Sequence, residues 1–252
     1  MQLRATLQGH TVSIDRLRVF FRSDSASAPQ GRVPLVLVHG LALSGAALAP
    51  LAQALAADFP VYVPDLPGFG KSQHPAKPQT LAQMADWLSQ WMDRLGLEQA
   101  NLLGNSLGGQ IVIHAVLQRK NFAGKLILDG PDMDPSQRGF ARRMILGFAD
   151  RLHEPVSLIP RLTLDTLAAG PLHLRQAWNA ALKEDIEKDL PQVKAATLVV
   201  RAQYDGYVSQ AWAERLAGEL PCAKVQVIPG DAHYGNFESP QALAECVRGF
   251  LL

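Results

Sequence analysis

From residue 34 to the C-terminus, short and almost wholly apolar runs alternate with stretches of helical character. The runs lie at 34–38, 61–63, 101–104, 125–128, 197–200 and 224–228, and the helical stretches at 44–57, 81–95, 107–118, 210–220 and 240–250. A strand with one wet face alternates apolar and polar residues, whereas a strand buried on both faces has no polar positions to show. The pattern therefore predicts an α/β chain: a mostly parallel sheet, covered by helices on both faces through right-handed crossovers. Residues 3–8 and 16–22 alternate and predict two antiparallel strands ahead of it, followed by a surface connection over 23–31, rich in Ser, Ala, Pro and Gly.

One interval breaks the rhythm. Residues 131–195 separate two strands by far more than one crossover, and Pro135, Pro155, Pro160, Pro171 and Pro191 cut them into helical pieces. This predicts a core of 1–130 and 196–252, with 131–195 inserted as a helical cap. Phe140, Met144, Phe148 and Leu152 stand at helical spacing there and suit either a pocket lining or the cap's own core.

The composition removes several classes of function. At 252 residues with 48% hydrophobic content the chain can bury one substantial core. Its apolar runs are far shorter than the roughly 20 residues that span a bilayer, and the N-terminus shows no signal-peptide pattern. A net charge of +1 without a basic stripe speaks against nucleic acid as a partner. Cys222 and Cys246 form neither a metal-ligand spacing nor a disulfide framework. The expectation is a cytoplasmic protein, monomer or homodimer, with no membrane or nucleic-acid partner, no metal and no cofactor.

The chemistry is carried by Gly104-Asn105-Ser106-Leu107-Gly108-Gly109, between apolar Leu102-Leu103 and the helical stretch from Gln110. A serine on a sharp strand-to-helix turn needs small residues two before and two after it, and Gly104 and Gly108 supply them. The helix start directs N–H groups and its positive dipole end at charge developing near the hydroxyl. His39-Gly40-Leu41, at the end of the first buried strand, lies beside that turn in a parallel sheet. The backbone N–H groups of Leu41 and Leu107 are thus the candidate oxyanion hole, with His39 itself a structural hydrogen-bonding group.

A nucleophilic serine needs a base. Among His10, His74, His114, His153, His173 and His233, only His233 follows the last strand on a loop that can fold back over the strand ends. The base needs an acid to fix its tautomer. Asp205, after the strand 197–200, is favoured by strand position. Asp129, at the end of the preceding strand, is second, and Asp231 is too near His233 in sequence. Asp65-Leu-Pro-Gly-Phe-Gly-Lys-Ser72 lacks the first glycine of a phosphate loop and reads as a structural turn beside the site.

Together, His39-Gly40, the 65–72 turn, the Ser106 turn, Asp205 and Gly230-Asp-Ala-His233 make the chain resemble the α/β-hydrolase superfamily from about residue 33 to the end. The resemblance implies an eight-stranded sheet with one antiparallel strand, a cap after the sixth strand, a catalytic Ser106–His233–Asp205 triad and no cofactor. It is nearest to small bacterial serine carboxylesterases and to the C–C bond hydrolases that open aromatic ring-cleavage products. Haloalkane dehalogenases and soluble epoxide hydrolases use an aspartate nucleophile where Ser106 stands. Ring-cleavage hydrolases usually carry a glycine-rich stretch after His-Gly and a tryptophan after the histidine; here Leu41-Ala-Leu-Ser-Gly45 and Tyr234 occupy those places, and the denser glycine motif of proline iminopeptidases is also missing. The expected activity is hydrolysis of a carboxylic ester or similarly activated acyl bond of a small molecule. C–C bond hydrolysis, perhydrolysis on the same triad, and a non-catalytic binding member of the fold are the other readings.

Overall fold

A computed structural model of the chain describes residues 6–119, 123–131 and 156–252. Eight strands form one sheet: β1 (Gln8–Ile14), β2 (Leu17–Asp24), β3 (Leu35–Val38), β4 (Val61–Pro64), β5 (Ala100–Asn105), β6 (Ala123–Asp129), β7 (Ala196–Ala202) and β8 (Ala223–Ile228). Their order is β1-β2-β4-β3-β5-β6-β7-β8. Pairing is parallel from β4 through β8, and β2 runs antiparallel to both of its neighbours. The sheet thus has the one reversed strand that the family resemblance implies.

Helices α1 (Ala49–Leu55), α2 (Leu81–Arg94), α3 (Leu107–Gln118), α6 (Gln210–Glu219) and α8 (Pro240–Leu251) flank it, and α7 is a single turn, Gly235–Glu238. Alternate residues of each buried strand serve opposite cores. Val36, Val38, Leu102, Leu126, Leu128 and Val199 pack with α2, α3 and α6, while Leu35, Leu37, Leu103, Ile127, Leu198 and Val200 pack with α1 and α8. This two-sided burial is why the strands read as continuous apolar runs. Thr80 starts α2 with a capping box: its hydroxyl accepts from Gln83 N, and the Gln83 side chain accepts from Thr80 N.

Two elements differ from the sequence reading. The first strand is Gln8–Ile14 rather than 3–8, because Asp15 and Arg16 adopt φ values of 46° and 66° and close a two-residue hairpin with Ile14 opposite Leu17. Residues 3–5 of that expectation lie outside the described residues. The first helix begins at Ala49, not residue 44, because residues 44–49 close i→i+3 turns, with Ala47 N donating to Ser44 O, Leu48 N to Gly45 O and Ala49 N to Ala46 O, while Ser44 N and Gly45 N are tied to distant carboxylates.

Between β6 and β7 the described residues are helical: α4 (Leu158–Ala169), α5 (Pro171–Lys183) and two single 3₁₀ turns. Gly170 joins α4 to α5 at φ 75°. Asp165 of α4 ties this insertion to the core, its Oδ2 accepting from Ser44 N at 3.0 Å and Ser44 Oγ at 2.9 Å. Phe140, Met144, Phe148 and Leu152 lie outside the described residues. No helix among the described residues is long and apolar enough to cross a membrane.

Candidate active site

Ser106 sits between β5 and α3 with φ 52° and ψ −120°, a conformation that side chains rarely adopt. A Cβ on Gly104 would strike the Gly108 carbonyl, and one on Gly108 would strike that of Val38, so the two flanking glycines are sterically required. The turn is pinned by Ser106 N donating to Asp129 O at 2.9 Å, across the β5–β6 pair. Leu107 opens α3, and first-turn N–H groups have no acceptor within their own helix.

His233 follows β8 and is buried, with Nδ1 2.9 Å from Asp205 Oδ2. The side chains are 5% and 1% exposed, so water barely competes for the bond. Asp205 is fixed in turn, because its Oδ1 accepts from Tyr207 N at 2.8 Å and Val208 N at 2.9 Å. Tyr207 and Tyr234 each present an edge-on ring 5.0 Å from that of His233. A carboxylate held this way keeps the proton on Nδ1 and makes Nε2 the basic nitrogen. The pair lies against Gly130: a Cβ there, at φ 54°, would come within 3.1 Å of the His233 ring and 3.2 Å of Asp205 Oδ2. Asp129, whose carbonyl holds Ser106, is the residue before it.

The loop after β3 approaches the serine from its other side, where a Cβ on Gly40 would lie 3.1 Å from Ser106 Cβ. His39 is a structural group there. Its Nδ1 donates to Gly40 O at 2.8 Å, its Nε2 accepts from Leu66 N at 3.0 Å, and burial lowers its pKa so that the ring stays neutral. Ala42 takes φ 62°, and the loop is then anchored at Ser44 by Asp165 and at Gly45 by Asp65 Oδ1. Asp65 also accepts from Lys71 N and Arg22 Nη1, and Ser72 Oγ donates to its carbonyl, so the 65–72 segment is a turn that braces this loop.

The remaining described histidines are engaged elsewhere. His10 stacks on Phe21, His74 and His173 meet edge to face at 5.2 Å, and His114 pairs with Glu184 at 3.1 Å. His153 lies outside the described residues. His114, Glu184 and Asp189 bring ligand atoms within 4.8 Å of one another, a grouping invisible to local spacing. Cys222 and Cys246 are free thiols.

Asp129 does not reach the histidine as its acid partner. Its Oδ2 accepts from Asn105 Nδ2 and Asn236 Nδ2, each at 2.9 Å, and burial pushes its carboxyl up from 3.8 to about 6. Sequence reasoning singled out neither asparagine. Asn105 stood next to the serine, but its partner is set by sheet register.

Residues 33–151 match the family model described as alpha/beta hydrolase fold. The chain is 30% identical over 243 residues to "Putative carbamate hydrolase RutD" of Caulobacter sp. (strain K31), covering 87% of this chain and 91% of that protein. It is 27% identical to the 2-hydroxy-6-oxo-6-phenylhexa-2,4-dienoate hydrolase of Burkholderia cepacia, over 78% of each chain. It is also 27% identical to the pimeloyl-[acyl-carrier protein] methyl ester esterase of Xanthomonas oryzae pv. oryzae, over 86% of this chain and 94% of that one.

Proposed function

Because the chain belongs to the α/β-hydrolase family and is a hydrolase, we propose that it cleaves a carboxylic ester, or a similarly activated acyl bond of a small molecule, through an acyl-enzyme on Ser106. One observation carries the reading: a serine held at φ 52° at the strand-to-helix turn, with a buried His233–Asp205 pair packed against the adjoining Gly130. In this mechanism Ser106 Oγ attacks the acyl carbon while His233 Nε2 takes its proton. The backbone N–H groups of Leu41 and Leu107 receive the oxyanion. His233 then protonates the leaving group, and the acyl-enzyme is released by a water that His233 deprotonates. Asp205 holds the ring and stabilises the imidazolium. Residues 131–195 act as the cap that shapes the acyl pocket, and no cofactor takes part.

The ester and carbamate names among the relatives support acyl transfer to water. The Burkholderia relative favours C–C bond hydrolysis as the second reading, and Tyr234 at the position after the histidine weighs against it.

Intact-mass labelling with a fluorophosphonate, alongside p-nitrophenyl ester turnover over a range of acyl lengths, tests the proposal. One adduct on the wild type and none on Ser106→Ala is expected, with turnover falling by a factor on the order of 10⁶ in the variant. A folded Ser106→Ala protein with wild-type esterase activity would exclude it.

A further inference from the structure

Asn105 and Asp129 are register partners at the carboxyl ends of β5 and β6. Parallel pairing sends such side chains to the same side of the sheet. Asn236 arrives from the other direction, on the turn three residues beyond His233. Its Nδ2 and that of Asn105 donate to the same oxygen, Asp129 Oδ2, each at 2.9 Å, and all three side chains are buried. The main chain of Asp129 adds the 2.9 Å bond from Ser106 N. A single aspartate thus holds the nucleophile by its backbone, the nucleophile's neighbour by one amide, and the histidine's loop by a second.

Nothing in the acyl-transfer steps uses this carboxylate. An apolar side chain would fill the space without the cost of burying a charge, yet here a carboxylate stands, stabilised by two amides against that cost. The titratable groups around it are His233 and Asp205, whose charges act on it in opposite senses, and Cys246 of α8, whose thiol it helps to push up.

We propose that Asp129 is a positioning residue: its carboxylate clamps Asn105 and Asn236 together and so fixes the nucleophile turn against the loop that carries the base. What it positions rests on the serine-hydrolase reading above. An ionised carboxylate accepts both N–H groups strongly, whereas a protonated one accepts them as a weaker neutral oxygen. The clamp therefore loosens when Asp129 takes up a proton.

The test compares the wild type with Asp129→Ala and Asp129→Asn for ester kinetics and fluorophosphonate labelling between pH 4.5 and 9. It also follows the side-chain amide resonances of Asn105 and Asn236 by NMR. Asp129→Ala is expected to lower kcat and the labelling rate about tenfold or more with KM little changed, because the loss lies in alignment rather than binding. Asp129→Asn keeps an acceptor oxygen and should recover most of kcat at pH 8. On the acid side, log(kcat/KM) should fall in both proteins with a slope of about one for the proton on the histidine, and because a neutral oxygen in Asp129→Asn keeps most of kcat, protonation of Asp129 should add only a shallow, few-fold drop that the variant lacks. Both amide resonances should titrate with a common midpoint in the wild type and stay still in Asp129→Asn, a readout that needs no turnover. A folded Asp129→Ala protein with wild-type kcat, or amides that do not titrate together, would overturn the clamp while Ser106 labelling stood. A wild type without a Ser106 adduct would instead remove the reaction, and with it the positioning role.

Discussion

Gly130 shows how closely the residue scale governs this site. It sits at φ 54°, where a non-glycine residue costs roughly 1–2 kcal/mol. Its Cα faces the His233 ring, so an added methyl would press on Nδ1 and Cε1 at 3.1 Å and on Asp205 Oδ2 at 3.2 Å. Gly130→Ala is therefore expected to lower kcat at least about tenfold through misalignment, while thermal stability falls by only about that backbone cost. Stopped-flow ester kinetics and a melting curve separate the two effects; an unchanged kcat in a folded variant would mean that the histidine–aspartate pair is not the base. Asp205 and Asp129 were separable in the sequence only by strand position, and the ring of His233 hydrogen-bonds to Asp205. The role of Asp129 was not legible, because Asn105 meets it 24 residues away through register and Asn236 meets it 107 residues away.

At the scale of elements, two helices that flank the buried strands were legible almost to the residue. The sequence predicted 81–95 and 107–118, and the helices are Leu81–Arg94 and Leu107–Gln118. The segment 44–48 was not legible, since it closes i→i+3 turns on a loop whose Ser44 and Gly45 are tied to Asp165 and Asp65 of distant elements. The first hairpin was misplaced for a different reason: Asp15-Arg16 turns without the glycine or asparagine that usually marks a left-handed pair. Asp165 is the clearest link between the insertion and the loop beside Ser106. It is 3% exposed and, besides both Ser44 contacts, pairs with Arg161 Nη2 at 3.1 Å. Removing one partner from such a buried set costs on the order of 3 kcal/mol. Asp165→Ala should lose about that much in urea unfolding and raise KM for long acyl esters, whereas Asp165→Asn, keeping an acceptor for Ser44, should lose less. Equal stability of Asp165→Ala and the wild type would show that the insertion is held elsewhere.

Across the whole molecule, the parallel topology gathers the ends of β3, β5, β6, β7 and β8 along one edge of the sheet, so the site is assembled only when all of them are folded. Two buried ionisable groups near that edge then make global stability depend on pH in opposite directions. His39 is held neutral below its ordinary pKa of 6.5, so its contribution is present above that value and is lost as the pH falls. Asp129 behaves in the reverse sense, because burial raises its pKa from 3.8 to about 6. Below about pH 4 it is protonated in both the folded and unfolded chain. As the pH rises from there to about 6, the unfolded chain ionises first and stability falls, and above 6 the folded chain carries the whole cost. At 1.36 kcal/mol per unit that cost is on the order of 2–3 kcal/mol. Asp129→Asn removes the ionisation and keeps the acceptor oxygen, so it should melt several degrees above the wild type at pH 8, with the gap closing by about pH 4. The His39 dependence should persist in both proteins. Melting curves from pH 4 to 8 decide the matter: a wild type as stable as the variant at pH 8 would mean that the two asparagine amides fully offset the burial of the charge. A variant that is more stable at pH 8, with the gap closing by about pH 4, would mean that the fold gives up stability to keep a charged clamp between its nucleophile and its base.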